Sequence, residues 1–265
     1  MSRIIVVTSG KGGVGKTTTT SNLGAALAKQ NRSVALIDAD FGLRNLDLLL
    51  GLEERVVYTA IDVLAGECRL AQALVKDKRI KGLVLLPAAQ NRNKDAVRPE
   101  QMQKITGALA KGYDYIIIDC PAGIETGFRN AICAAKEALI VTTPEVAAVR
   151  DADRVIGLLE AEGVTNISLI VNRVKPRMVE ESKMMSVEDV LELLGVPLIG
   201  VVPDDEKVIE ATNRGEPMVL AEYESVPATA YNNIARRLEG EKVPFLDLMA
   251  NQGSILARLR RIFGG

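Results

Sequence analysis

One stretch constrains the fold more than any other: Gly10-Lys11-Gly12-Gly13-Val14-Gly15-Lys16-Thr17. A short apolar run, Ile4-Ile5-Val6-Val7, precedes it. Residues 18–29 follow, with Leu23, Ala26 and Leu27 at helical spacing. Strand, glycine-rich turn and helix in that order make a P-loop. The glycines let the backbone wrap phosphate oxygens in conformations that side chains forbid. The loop N–H groups and the helix N-terminus then face the anion. Lys16 reaches the β- and γ-phosphates, and the Thr17 hydroxyl is placed for Mg²⁺. The expected ATP-binding segment is Lys11, Gly12, Gly13, Val14, Gly15, Lys16, Thr17 and Thr18. A turn without a ligand would not need all of these fixed positions between a strand and a helix.

The rest of the chain alternates apolar β-branched runs with helical patterns, which predicts an α/β fold: a mostly parallel, twisted sheet flanked by helices on both faces. Strands are expected at 4–8, 34–38, 83–87, 115–119, 138–142, 167–172 and 198–202. Helices are expected at 17–29, 98–111, 126–135, 146–162, 186–194 and 228–238, with Ser186 and Asp189 forming a helix-start pattern. Asn251-Gln252-Gly253, beyond Pro244, reads as a linker. The expected organisation is an ATPase domain over 1–240, a linker over 241–253 and a separate tail over 254–265.

Composition removes several functions. The 265 residues are 48% hydrophobic, enough for a sizeable core, and the net charge of −1 gives no overall attraction to nucleic acid. With no histidine, imidazole acid–base chemistry, Ser-His-Asp triads and His-ligated metals are excluded. Cys68, Cys120 and Cys133 form no C-x-x-C pair, so neither a zinc site nor a redox motif is supported. Cys120, just after an apolar strand, reads as a small core residue. Aromatic residues are 3% and Trp is absent, which leaves no stacking platform for single strands. No apolar run has membrane-spanning length. Arg3 leads straight into a strand with no room for a secretory leader, so a cytosolic setting is expected.

Two strands end in carboxylates. Ligands of open α/β sheets sit beyond the carboxyl ends of the strands, so Asp38 and Asp40, closing Val34-Ala35-Leu36-Ile37-Asp38-Ala39-Asp40, fall near the phosphates. Ile116-Ile117-Ile118-Asp119 has the form of a Walker B strand, and Asp119 is expected to hold Mg²⁺ through water. Thr17, Asp38 and Asp119 are the expected metal-site residues. Hydrolysis needs a water aligned with the γ-phosphorus. Without histidine, Asp40 is the candidate to orient it.

The second lysine of the loop, Lys11, is not required by an ordinary P-loop. Lys11 to Thr17 resembles the deviant Walker A signature of the ParA/MinD group of ATPases. Gly42-Leu43-Arg44-Asn45-Leu46-Asp47, Asp119-Cys120-Pro121-Ala122-Gly123-Ile124-Glu125, Thr143-Pro144-Glu145-Val146 and Val149-Arg150-Asp151 extend that resemblance over nearly the whole chain, and are most similar to its division-site-placement branch. The resemblance implies an ATP-driven homodimer in which Lys11 crosses to the partner's nucleotide; with Lys16 of the loop and Asp40 it makes up the expected catalytic set. It implies a membrane-bound switch that recruits a MinC-like septum inhibitor and is released by a MinE-like stimulator. It places Arg44, Asn45, Asp151 and Asp153 on the partner-binding surface, and Asn172, Arg173, Pro203 and Asp204 around the adenine.

The tail carries its own signal. At 100° per residue, Ile255, Leu256, Leu259, Ile262 and Phe263 share an arc of roughly 120°. Arg258, Arg260 and Arg261 lie outside it. A basic amphipathic helix of this kind reads as binding an anionic membrane surface; the other reading is a last helix docked on the domain's own core. Taken with the resemblance, membrane binding implies a chain in the cytoplasm and peripherally on the cytoplasmic face of the inner membrane. Two other members of the same group remain open: a DNA-partitioning ATPase, which would need basic surface patches, and a flagellar-number regulator. A metabolic kinase would need a second pocket with a base beside a hydroxyl acceptor, and none is evident.

Overall fold

The computed structural model describes residues 2–41, 43–89 and 97–248. The strands are β1 (Arg3–Thr8), β2 (Val34–Asp38), β3 (Val75–Lys76), β4 (Leu83–Leu86), β5 (Tyr115–Asp119), β6 (Glu137–Thr142), β7 (Asn166–Val174) and β8 (Leu198–Pro203). The helices are α1 (Lys16–Lys29), α2 (Leu46–Leu49), α3 (Ala60–Ala65), α4 (Leu70–Ala73), α5 (Pro99–Leu109), α6 (Thr126–Ile132), α7 (Val146–Ala161), α8 (Pro176–Glu180), α9 (Val187–Leu194), α10 (Glu206–Asn213) and α11 (Val226–Leu238). The tail, residues 249–253 of the expected linker, and Gly42 lie outside the described residues.

One sheet runs in the order β3-β4-β2-β5-β1-β6-β7-β8. Every neighbouring pair is parallel except β3 with β4. All seven expected strands are present. The eighth, β3, is two residues long and antiparallel, too short to leave a period in the sequence. The same shortness hid α2, α4 and α8, of four or five residues each.

Strand residues alternate between two apolar layers, as a sheet covered on both sides requires. Ile5, Val7, Leu36 and Ile117 face α1 and α11; Val6, Ile37, Ile116 and Ile118 face α5, α6 and α7. Helix starts follow local chemistry. The Ser186 hydroxyl accepts the Asp189 N–H at 3.0 Å, as the spacing predicts. Helix α11 begins two residues before the expected 228. There the Ser225 hydroxyl caps it, accepting from the Ala228 N–H at 3.2 Å, and Pro227 suits the first turn. At the far end of the strands Arg3 grips Glu137 with two bonds, of 2.9 and 2.6 Å, and donates to the Leu238 carbonyl, tying α11 to the sheet.

This topology concentrates chemistry at one end. β1 lies centrally between β5 and β6. The carboxyl ends of β1, β2, β5, β6, β7 and β8 deliver the glycine-rich loop, Asp38, Asp119, Glu145, Asn172 and Asp204 to the same edge.

Candidate functional site

The loop is built around glycine conformations. Gly13 and Gly15 have φ of 78° and 98°, in the left-handed region, and Gly15 caps the start of α1. Lys16 is buried at its first turn, while Lys11, Gly12 and Gly13 are exposed. Gly10 lies hard against α7: a Cβ there would sit 2.2 Å from the Asp151 carbonyl oxygen. The loop therefore seats on α7 through the backbone and Cβ of Asp151.

Asn172 supports the loop from below. Its buried amide donates to the Val14 carbonyl at 2.8 Å, and a Cβ on Gly15 would come within 2.3 Å of the same nitrogen. β7 shifts register against β8 between Val171 and Val174, and Arg173 there has φ of 56°. Such irregularities redirect side chains at the ends of strands. Here Asn172 turns under the loop and Arg173 turns out into a cleft. That cleft, of about 190 Å³, joins Gly15 and Thr18 to Asn172, Arg173, Pro203 and Asp204. The sequence-expected adenine residues and the phosphate loop thus line one cavity. Tyr231, from α11, also borders it and no local pattern announced it. Asp204 pairs with Lys175 at 3.3 Å across the rim.

The two strand-end carboxylates are neighbours in register, Asp38 beside Asp119. Both are buried. Burial first, then the charge of Asp119, pushes Asp38 up to about 7, while N–H bonds from Asp40 and Leu46 hold it back. Burial pushes Asp119 up to about 6 against hydroxyl bonds from Thr17 and Thr20 and the charge of Lys16. Thr20 donates to Asp119 at 2.9 Å; its place one turn after Lys16 is the signal that would have found it.

Asp38 has a second task. Its carboxylate accepts N–H bonds from Asp40, Asn45 and Leu46 at 3.0, 3.1 and 3.2 Å. It thereby folds the segment after β2 onto the strand end. Asp40 is half-buried beside it.

The residues present fit a magnesium ion. Mg²⁺ takes one or two carboxylates together with substrate phosphates and water, not a full protein cage. Two buried carboxylates with raised pKa values, beside the Thr17 hydroxyl, supply that donor set. Among the described residues no cluster of three or more His, Cys, Asp or Glu side chains could hold a metal by itself.

A pH dependence follows. Both folded-state values lie above the unfolded carboxylate value of about 3.9. Between about pH 4 and pH 7 the folded chain then holds more protons than the unfolded one, so this contribution to stability is lost as pH rises. Without cation or nucleotide, thermal unfolding curves should show the wild type losing stability from about pH 4 to pH 7 relative to Asp38→Asn. Mg²⁺ with nucleotide should remove that difference. A relative gain with rising pH would contradict the assignment.

The remaining candidates separate by exposure. Lys11 Nζ lies 3.3 Å from Glu145 Oε2, and both side chains are about half exposed. Arg44 is paired with the buried Asp47 at 2.5 Å and its side chain is only 12% exposed. This internal pair, not an open surface, is the setting of Arg44. Asn45 and Asp153 are exposed, and Asp151, half-buried, faces Arg154 at 3.7 Å. Burial pushes Cys120 up to about 12, which fits a core thiol and not a nucleophile.

A central strand feeding a glycine-rich loop, with buried carboxylates at the neighbouring strand ends, defines a P-loop nucleotide-binding domain. Residues 5–218 match the model of the CobQ/CobB/MinD/ParA nucleotide binding domain. The septum site-determining protein MinD of Synechocystis sp. is 68% identical over 266 residues, covering all of both chains. Among solved structures, MinD in the MinC:MinD cell division protein complex of Aquifex aeolicus is 50% identical with a TM-score of 0.86, covering 92% of this chain and 98% of that one. The septum site-determining protein MinD of Pyrococcus horikoshii, complexed with Mg-ADP, is 34% identical with a TM-score of 0.82, covering 90% and 96%. The chain belongs to the MinD family of septum site-determining ATPases.

Proposed function

We propose that the chain is an ATP-dependent switch whose two copies close face to face on Mg-ATP and then hold a membrane. The observation that carries this reading is the contrast between the two lysines of one loop. Lys16 is buried at the base of the phosphate cradle, while Lys11 stands exposed at its mouth. A charge so placed serves a nucleotide presented from outside. Around it, Leu43, Ile124 and Val146 are 63%, 49% and 66% exposed. Leu43 and Ile124 sit on loops and Val146 opens α7, all at the nucleotide end, and exposed apolar groups gathered there suit a surface that a second copy covers.

Bound ATP would lie with its phosphates on residues 11–18 and its base in the cleft of Arg173, Pro203 and Asp204. Mg²⁺ would be held by Thr17, Asp38 and Asp119, and Asp38 also organises the segment after β2. The ion supplies charge neutralisation at the β- and γ-phosphates. Asp40 would orient the attacking water, and the partner's Lys11 would supply the positive charge that phosphoryl transfer demands.

The MinC:MinD complex of the Aquifex relative supports a MinC-like inhibitor as partner. Exposed Asn45 and Asp153 carry that surface, and Arg44 shapes it from beneath through Asp47. A MinE-like stimulator and residence on the cytoplasmic face of the inner membrane complete the cycle, with Ile255, Leu256, Leu259, Ile262 and Phe263 entering lipid and Arg258, Arg260 and Arg261 meeting anionic headgroups. Among the described residues no helix is long and apolar enough to cross a membrane, so attachment rests on the tail. The test is molecular mass in solution. Doubling with Mg-ATP and not with Mg-ADP is expected; one mass with both would overturn the reading.

A further inference from the structure

Beside β8, the last strand of the sheet, runs an apolar groove of about 440 Å³. Val179 of α8, Val187 and Leu191 of α9, and Val201 of β8 line it, and Phe245 and Leu248 close one side. These last two belong to the segment that leads out of the domain. That segment is fastened and not loose. Arg237 donates to the Val243 and Pro244 carbonyls at 3.0 and 2.7 Å and to the Ile199 carbonyl of β8 at 2.9 Å. Its guanidinium also lies 4.1 Å from the centre of the Phe245 ring. The clamp meets part of the open hydrogen-bonding edge of β8 and brings Phe245 and Leu248 to the groove.

We propose that this groove is the lipid-free seat of the chain's own tail, residues 254–263. Leu248 already lines the groove, so the following residues need cross no distance to enter it, and tethering makes the encounter intramolecular. The chemistry is complementary. The groove offers an apolar floor with Glu188 at its margin, and Glu192 is exposed on the same helix. The tail offers Leu256, Leu259 and Ile262 flanked by Arg258, Arg260 and Arg261. Lipid and groove then compete for one apolar face. A single chain is held off the bilayer until paired attachment outweighs the groove, which sharpens the dependence on ATP.

The experiment uses the full-length chain with ADP and no lipid, so that its outcome is independent of whether the tail binds membranes. Methyl signals of Val179, Val187 and Leu191 are compared between the wild type and Leu259→Glu, a change in the tail that leaves the domain core untouched. These signals should differ, and Leu191→Glu should speed tryptic cleavage at Arg258–Arg261 several-fold while basal ATP hydrolysis is unchanged. Identical methyl signals would overturn the proposal. So would differences that grow with protein concentration as the mass doubles, since the occupant would then be a second copy.

Discussion

Replacing Lys11 with alanine is expected to leave a folded, nucleotide-binding chain that neither doubles its mass with ATP nor hydrolyses ATP at the wild-type rate. A charge delivered in trans to a transferring phosphoryl group is worth about 10³–10⁵ in rate. Loss of that order in phosphate release is the expected result. The effect on stability should be small. The ion pair with Glu145, at 3.3 Å and half exposed, belongs to a class worth about 0–1 kcal/mol. Lys16→Ala would differ, because a buried lysine in the loop contributes to the cradle itself. Undiminished hydrolysis by Lys11→Ala, or by a chain that stays monomeric in ATP, would contradict the trans role.

The second large effect concerns the tail. Ending the chain after Gly253, or the change Phe263→Glu, should abolish vesicle binding and leave ATP-driven doubling intact. Full burial of an aliphatic or Phe side chain is worth about 1.5–3 kcal/mol, and each arginine near anionic lipid adds about 1 kcal/mol. Five partly buried apolar residues must also offset the ordering of the segment. One tail therefore binds weakly. Two tails on one dimer bind with far greater avidity, since the second attachment is intramolecular. Vesicle sedimentation measures this directly, and unchanged pelleting by the truncated chain would remove the tail from the account.

How much of this was legible in the sequence depended on how local each feature is. β1, the loop and α1 are contiguous, and glycine spacing with apolar periodicity defines them outright. The seven long strands showed as β-branched runs because a sheet covered on both faces needs apolar residues at every position. Asp38 and Asp119 were legible as strand-end acids. Their register as neighbours, which adds the charge of Asp119 to the burial that raises Asp38, was not, because strand order is a property of the whole chain.

Features built by distant segments stayed hidden. Asn172 was expected beside the base, and it does line the cleft. Its amide bond to Val14 depends on an irregularity in β7 that leaves no mark in composition. Tyr231 reaches the cleft from α11. The clamp by Arg237 shows the same limit. Residues 241–253 read as linker because they carry no period, yet carbonyls of 243 and 244 are bound by a side chain from the end of α11.

The most direct measurement of the central claim is sedimentation of the full-length chain with anionic vesicles in ATP, in ADP and without nucleotide, with mass recorded in parallel. Pelleting that appears only with ATP, together with doubled mass, is the predicted result. Equal pelleting of the ADP-loaded single chain would contradict it.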